Sequence, residues 1–183
     1  MVKTDLLTIT RELERLRPWV PAIRAACLAW DEDPFLLSAI CLRESGAGWA
    51  PGYEPKGKPD GWGDNGHGFG LFQIDIRYHR GFVLSADARD PSRQAVYACR
   101  ILHENRHYLK HSASMPPDNL ERAAVAAYNA GVGSVIHRVI LGEDPDLATT
   151  GHDYSHWVFE KQAALYLAAP KLFAVPQQPS EIA

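Results

Sequence analysis

One carboxylate lies at a position where the sequence pattern predicts an apolar side chain. Leu37, Ile40 and Cys41 follow one another at helical spacing, and Glu44 extends the same stripe. This Glu is either a surface residue near a helix end, or it projects into a cleft roofed by apolar groups. In the second case burial raises its pKa, which suits a general acid that must hold a proton near neutral pH. The stripe alone leaves both interpretations open.

A second group of candidate residues lies in the segment GWGDNGHGFGLFQID, residues 61–75. Its glycines and Asn allow the backbone to adopt positive φ angles and to approach a ligand closely. The segment carries two carboxylates, Asp64 and Asp75, together with Gln73, which could orient a polar substrate. Either Asp alone is also a common turn residue.

A third group follows in AAVAAYNAGVG, residues 123–133. The alanine-rich run predicts a helix that packs closely against its neighbours. Tyr128 and Asn129 come at its end, just before Gly131. Their side chains could donate hydrogen bonds into a cleft, or they could simply cap the helix.

A competing motif, HENRH at residues 103–107, matches the H-E-x-x-H pattern of zinc peptidases, with Glu104 as the base. Its helical context argues against zinc, because His103 and His107 lie on the flank of the predicted buried stripe. No third ligand follows at a recognised spacing, although His111 continues the series and could help to capture a metal adventitiously. We therefore expect no catalytic metal and no cofactor.

Helices must position these candidate residues. The clearest begins with Asp33 as the N-cap and Pro34 as the first residue, and it stops at Gly46. Another opens with Asp118 as its expected N-cap. Periodicity and breakers predict helices over residues 5–16, 21–30, 34–45, 91–110, 118–131, 133–141 and 154–168. Six or seven helices around a loop-rich cleft define a mainly α protein.

The loop itself covers residues 47–70 and is rich in Gly and Pro. A long loop of this kind inside a compact domain is usually functional or disordered, and its aromatic residues favour function. These aromatics could stack on a ligand or anchor the loop: Trp49, Tyr53, Trp62 and Phe69. The run FGLFQID, residues 69–75, predicts one short strand.

Composition narrows the functional classes. The 183 residues suggest one domain, and a net charge of −3 without a basic run argues against nucleic acid as a partner. No apolar run approaches the length of a membrane span, and the N-terminus lacks the apolar core of a signal peptide. We expect synthesis in the cytoplasm and buried free thiols at Cys27, Cys41 and Cys99.

Three of these motifs together resemble one family. RES at 43–45, GDNGHGFGLFQID at 63–75 and AYNAG at 127–131, in this order, are similar to the goose-type lysozymes and related lytic transglycosylases. GHDYSHWVFEKQAALY at 151–166 resembles the closing helix of the same family. The likeness covers roughly residues 34–168. It implies a lysozyme-like domain with a very small β element and a glycine-rich loop at the active-site cleft.

The resemblance also implies roles for individual residues. Glu44 matches the catalytic acid, while Asp64 and Asp75 match two aspartates that position and activate the attacking water. The remaining matches are cleft residues that bind the glycan or support the acid: Gln73, His79, Tyr128, Asn129 and Tyr154. We add Phe69, from the glycine-rich loop, to these substrate-binding candidates. The implied substrate is peptidoglycan, cleaved at the β-1,4 bond between N-acetylmuramic acid and N-acetylglucosamine.

Both aspartates favour hydrolysis by inversion over the cyclisation of a transglycosylase, which needs no water-activating carboxylate. A zinc cell-wall peptidase and a non-catalytic glycan-binding module are less favoured hypotheses. We expect a monomer with a helical segment at 1–30, a catalytic domain at 31–169 and a tail at 170–183. The odd cysteine count and the missing signal peptide favour a bacterial or phage protein, such as an endolysin, that reaches the cell wall after release.

Overall fold

The computed structural model describes residues 6–48, 61–112 and 117–174, and most of these residues are helical. Each of the seven predicted helices is present, with ends that differ by at most two residues from the predicted ones. The helices are α1 (Leu6–Leu16), α2 (Val20–Trp30), α3 (Pro34–Ser45), α4 (Ile76–Val83), α5 (Pro91–Ser112), α6 (Pro117–Ala130), α7 (Val132–Ile140) and α8 (Tyr154–Ala168). The predicted mainly α class is confirmed.

Helix α3 is the centre of the fold. Every residue from Phe35 to Leu42 is buried, so the helix is enclosed on all sides rather than along the single predicted stripe. Asp33 caps its N-terminus as predicted, because its carboxylate accepts hydrogen bonds from the backbone N–H groups of Phe35 and Leu36. Gly46 ends the helix in the left-handed conformation, with φ 57°.

The first two helices pack into the same core as the rest of the chain. Leu16 and Ile23 are almost fully buried in it. Glu12 on α1 forms an ion pair with Lys161 on α8 at 2.7 Å, and the Lys161 side chain is only 6% exposed. Glu32, just after α2, is likewise bound by Arg106 of α5 at 2.6 Å. Charged contacts therefore fasten the N-terminal helices to both α5 and α8.

The β structure is a small antiparallel sheet in the order β1 (Trp62–Gly63), β2 (Gly68–Phe69) and β3 (Ile74–Asp75). The single strand predicted over 69–75 is therefore wrong, since the segment folds as a tight hairpin. Gly70 turns the chain at φ 80°, and Gln73 also adopts a positive φ of 45°. A Cβ at Gly70 would stand 2.1 Å from the Gln94 side chain, so the turn requires glycine there.

Two further details differ from the predictions. Helix α4, which the sequence patterns did not predict, is a short helix capped by Asp75 through the backbone N–H of Arg77. Helix α6 begins at Pro117, so Asp118 lies inside it and is not the N-cap.

The alanines of α6 are buried against α5 and α7, as expected, and the three cysteines are buried free thiols. Among the described residues, no helix has the length and apolarity required to cross a membrane.

The Asp33 cap provides a test of this architecture. Replacing Asp33 with Ala leaves two backbone N–H groups of α3 without their acceptor and should lower the free energy of unfolding by about 1 kcal/mol. Urea unfolding followed by circular dichroism measures the loss. Asp33→Asn is the control, because Asn caps a helix about as well as Asp. A loss as large in the Asn variant would contradict the capping role.

Candidate active site

Glu44 lies in the last turn of α3, immediately before the left-handed Gly46. Its side chain is half-buried, in contrast to the fully buried residues that precede it. The phenol of Tyr154, which is only 2% exposed at the start of α8, donates a hydrogen bond to the Glu44 carboxylate. Two helices that are distant in sequence thus meet at one carboxyl group.

Burial raises the pKa of Glu44 to about 7, and a smaller contribution in the same direction comes from the nearby charge of Asp64. The Tyr154 hydrogen bond and the Arg43 guanidinium act in the opposite direction and lower the pKa. Because the desolvation effect is the largest, Glu44 keeps its proton at a pH where an exposed Glu is ionised. A carboxylic acid with this pKa can donate a proton near neutrality.

Arg43, beside the acid, belongs to a stacked arrangement that the sequence did not suggest. Its guanidinium donates to Asp153 at 2.8 Å and lies over the Trp157 ring at 5.2 Å. Lys161 lies 5.1 Å from the centre of the same ring. Trp157 therefore contacts two cations, which together with Asp153 limit the positions open to Arg43.

The start of α8, and with it Tyr154, is fixed by the buried carboxylate of Asp146. Asp146 accepts hydrogen bonds from the backbone N–H and the hydroxyl of Ser155 at 2.8 and 2.6 Å, and from the His156 N–H at 3.1 Å. Burial alone would raise the pKa of Asp146, but these hydrogen bonds leave it below its usual value. An anion at a helix N-terminus is also favoured by the helix dipole.

Asp64 lies on a tight 3₁₀ turn that follows β1, and its side chain is 65% exposed. Both Asp64 and Asn65 adopt left-handed conformations, with φ 44° and 54°. Asp and Asn are the non-glycine residues that adopt such angles most readily, so these two residue types suit the tight turn. The turn presents the Asp64 carboxylate to solvent near Glu44, whose pKa responds to it.

Asp75 ends β3 and binds Arg77 through both carboxylate oxygens, with Nε–O distances of 3.0 Å each. The Arg77 guanidinium lowers the pKa of Asp75, and its backbone N–H adds to the effect. Asp75 is therefore a firmly held anion. Arg77 was not among the residues that the sequence singled out.

The loop that links these aspartates is attached to both α3 and α5. The buried hydroxyl of Ser45 donates to the Leu71 carbonyl at 2.7 Å, while the buried Gln94 amide accepts from the Leu71 N–H at 2.7 Å and donates to Ala88. Tyr128 donates to the neighbouring Phe72 carbonyl at 3.1 Å. These contacts fix the hairpin relative to Glu44, and Gln94 was not predicted.

The remaining predicted substrate residues occupy varied positions. The Gln73 amide donates to the Gly70 carbonyl at 2.8 Å and lies against Gly63, where a Cβ would stand 2.1 Å from its oxygen. Asn129 is exposed and accepts from the Thr150 N–H. Phe69 is only 6% exposed and packs edge-on against Trp62, so its ring is part of the core.

His79 lies at a break in α4, where its φ of −121° departs from helical geometry. Its Nδ1 is 3.2 Å from the Tyr97 hydroxyl, and burial lowers the pKa of His79. Of the aromatic residues proposed to stack on sugars, Trp62 is the first residue of β1 and is half-buried. Trp49 and Tyr53 lie outside the described residues.

The H-E-x-x-H residues lie on the solvent-facing flank of α5, where His103 and His107 are exposed. Glu104 is bound by Arg100 at 2.7 Å, and His103 packs edge-on against Trp30. His107 contacts His111 at a ring distance of 4.5 Å. Over residues 6–48, 61–112 and 117–174, no group of three or more His, Cys, Asp and Glu side chains is placed to hold a metal ion.

The central helix of this mainly helical core ends near Glu44, whose pKa is raised, and the small antiparallel sheet and the turn after β1 hold Asp75 and Asp64. This architecture is that of a lysozyme-like protein. The family model described as lysozyme g matches residues 7–167. The chain therefore belongs to the lysozyme g family, which confirms the resemblance found in its motifs.

Individual relatives carry the same name. Lysozyme g of Casuarius casuarius is 34% identical over 125 residues, which cover 68% of this chain and 60% of that protein. Lysozyme g of Gallus gallus is 29% identical over 156 residues, 85% of this chain and 67% of the relative. For lysozyme g of Cyprinus carpio the identity is 33% over 124 residues, 67% of this chain and 59% of the relative. The chain spans about three fifths of the Casuarius casuarius protein that it matches.

The raised pKa of Glu44 has a measurable effect on stability. Its folded value of about 7 lies above the ordinary 4.5, so the folded state holds the proton more tightly, and stability falls as pH rises through this window. Glu44→Gln removes the effect. We expect the variant to match the wild type at about pH 4 and to exceed it by on the order of 2 kcal/mol at about pH 8.

Urea unfolding at the two pH values measures this difference. Replacement of the exposed Glu143 by Gln is the matched control. The difference in unfolding free energy between this variant and the wild type should not increase with pH. A Glu44→Gln variant whose advantage over the wild type is the same at both pH values would contradict the raised pKa.

Proposed function

We propose that this protein is a metal-independent muramidase that hydrolyses the β-1,4 bond between N-acetylmuramic acid and N-acetylglucosamine in peptidoglycan. The observation that carries the proposal is Glu44, a half-buried carboxylic acid with a pKa of about 7 that lies near the exposed carboxylate of Asp64. Membership of the lysozyme g family supports the same activity. The contact of Glu44 with Tyr154 supports the proton transfer that the reaction requires.

In the proposed reaction Glu44 is the general acid. It donates its proton to the oxygen that bridges the two sugars, so that the leaving sugar departs as a neutral alcohol. Tyr154 holds the carboxyl group in one orientation, and its hydrogen bond stabilises the carboxylate that remains after proton transfer. The same contact thus serves both before and after the bond breaks.

Water completes the reaction from the opposite face of the sugar. The water oxygen bonds to the anomeric carbon of N-acetylmuramic acid as the glycosidic bond breaks, and attack from this face inverts the configuration of that carbon. The proton of the water passes to a carboxylate. Asp64 and Asp75 are the residues that we assign to this water. Asp64 is the more exposed of the two, while Asp75 is held by Arg77. The proton that Glu44 loses is later replaced from solvent.

Substrate binding is assigned to the side chains around these carboxylates. Tyr128 and His79 lie beside the hairpin and on α4, and Asn129 is exposed at the end of α6. Gln73 would act mainly by shaping the hairpin, because its amide nitrogen is bonded to Gly70. Since the Phe69 ring is buried against Trp62, we assign sugar contact to Trp62 and a supporting role to Phe69.

The products distinguish hydrolysis from transglycosylase chemistry. Mass spectrometry of purified peptidoglycan after digestion should show muropeptides with reducing ends, because two aspartates are available to place a water. Products with 1,6-anhydro ends would show cyclisation instead. Loss of cross-linking peptides that is abolished by a chelator would indicate the zinc peptidase, and no product at all would indicate a glycan-binding module.

The proton donor can be tested by rate. Glu44→Gln should reduce the release of reducing ends by about a thousandfold or more, since the amide has no proton to give and the fold is retained. The wild-type rate should decline on the alkaline side near pH 7, as Glu44 loses its proton. Glu143→Gln is the control and should keep the wild-type rate. A loss below tenfold in Glu44→Gln would exclude Glu44 as the acid.

We further propose that the protein acts as a monomer on bacterial cell walls. Peptidoglycan strands are then its partner, and neither nucleic acid nor a membrane is required. Its small net charge of −3 supports the absence of a strong electrostatic partner. Whether the source is a phage or a bacterium does not alter the chemistry proposed for the site.

A further inference from the structure

Arg77 lies between the two aspartates of the site. Its side chain folds back onto Asp75, which it contacts through Nε at 3.0 Å from each carboxylate oxygen and through a terminal nitrogen. The same terminal nitrogen lies 3.8 Å from a carboxylate oxygen of Asp64. One guanidinium thus connects β3 and α4 to the turn that follows β1.

This geometry suits a guanidinium and no other cation among the side chains. Its planar fork can bind one carboxylate at two points while an outer nitrogen remains directed at a second. Two carboxylates placed close together repel each other, and one of them tends to take up a proton unless a cation lies between them. Arg77 provides that cation, and its fork also sets the spacing of the two groups.

We propose that Arg77 is a positioning residue for the hydrolytic reaction, one that holds Asp75 and Asp64 as a spaced pair of carboxylates. This inference rests on the proposed function and extends it to a residue that would act through the two aspartates. Arg77 fixes where the two carboxylates stand, and it lowers the pKa of Asp75.

The local structure explains why the contact between Arg77 and Asp75 is stable although the Arg77 side chain is 52% exposed. The backbone N–H of Arg77 also donates to the Asp75 carboxylate at 2.8 Å, because Asp75 caps α4. The side chain and the backbone of Arg77 therefore donate to the same carboxylate. Because the backbone contact already places Asp75 close to Arg77, forming the side-chain contact costs less conformational entropy. The charged and titratable groups that act on Asp75 are Arg77 and His67, and Asp75 in turn acts on His79. Asp64 lies 3.8 Å from the same guanidinium.

Removal of the guanidinium has a specific consequence for pH dependence. Arg77 lowers the pKa of Asp75 in the intact protein. Without it, the pKa of Asp75 rises, and the presence of Asp64 nearby raises it further. The acid limb of the rate profile, which reports carboxylates that must be ionised, should then move to higher pH. The alkaline limb should stay in place, because Glu44 is shifted mainly by burial, Tyr154 and Arg43.

The test compares the wild type with Arg77→Gln in two measurements on the full chain. Carbon-13 NMR of the side-chain carboxyls should show Asp75 titrating about one pH unit higher in the variant. The release of reducing ends from peptidoglycan should show the acid limb moved by a similar amount. It should also show kcat lowered by about tenfold to a hundredfold, with KM changed by less than about threefold.

Two further variants separate spacing from charge. Arg77→Lys retains the charge but lacks the fork, so Asp75 should titrate closer to its wild-type pH while kcat remains well below that of the wild type. Arg138→Gln removes another exposed arginine that pairs with a carboxylate, Glu143 at 2.8 Å, and should leave both limbs and kcat unchanged. In an Asp75→Asn background, Arg77→Gln should no longer move the acid limb.

Several results would overturn the proposal. These are an Asp75 titration that is the same in Arg77→Gln and in the wild type, a rate that falls equally at every pH, or an Arg77→Lys variant with wild-type kcat. The NMR titration needs no substrate. A wild-type protein that releases no reducing ends would therefore refute the proposed function, while the contact between Arg77 and Asp75 would still be judged by the titration.

Discussion

The proton on Glu44 depends on removing that carboxyl group from water, and much of the surrounding structure follows from this constraint. Helix α3 is buried on all sides from Phe35 to Leu42. The Glu44 carboxyl follows at the end of this apolar helix, where the surrounding core shields it from water. The shielding is incomplete, since the Tyr154 phenol supplies a polar contact that a fully apolar pocket would lack. A group that must first hold a proton and then release it needs both surroundings.

Sequence reasoning predicted the parts of this protein that depend on local chemistry. The Asp33 cap, the Gly46 stop and the periodicity of the long helices are local signals, and the structure confirms each of them. The stripe through Leu37, Ile40 and Glu44 placed the acid correctly at the end of a buried helix, although spacing alone could not exclude a surface position. The order of the three motifs identified the family, which the lysozyme g model confirms.

Long-range contacts could not be derived in the same way. Gln94, Asp146 and Arg43 act on residues that lie far from them in the sequence or across the fold, and no local spacing announces such pairs. The hairpin over 69–75 was missed because its turn depends on positive φ at Gln73, a residue that does not usually adopt it. Burial of Phe69 likewise follows from packing against Trp62 and not from residue type.

The ion pair between Glu12 and Lys161 has a consequence for any attempt to trim the protein. Lys161 is almost fully enclosed, and behind it stands the Trp157 ring that also contacts Arg43, the cation beside Glu44. A fragment that starts after α1 would lose the Glu12 carboxylate that neutralises Lys161, together with the packing of α1 on α8. The helix farthest in sequence from the recognised motifs thus helps to balance the charges around Arg43 and Glu44, and a shortened version of the protein should include it.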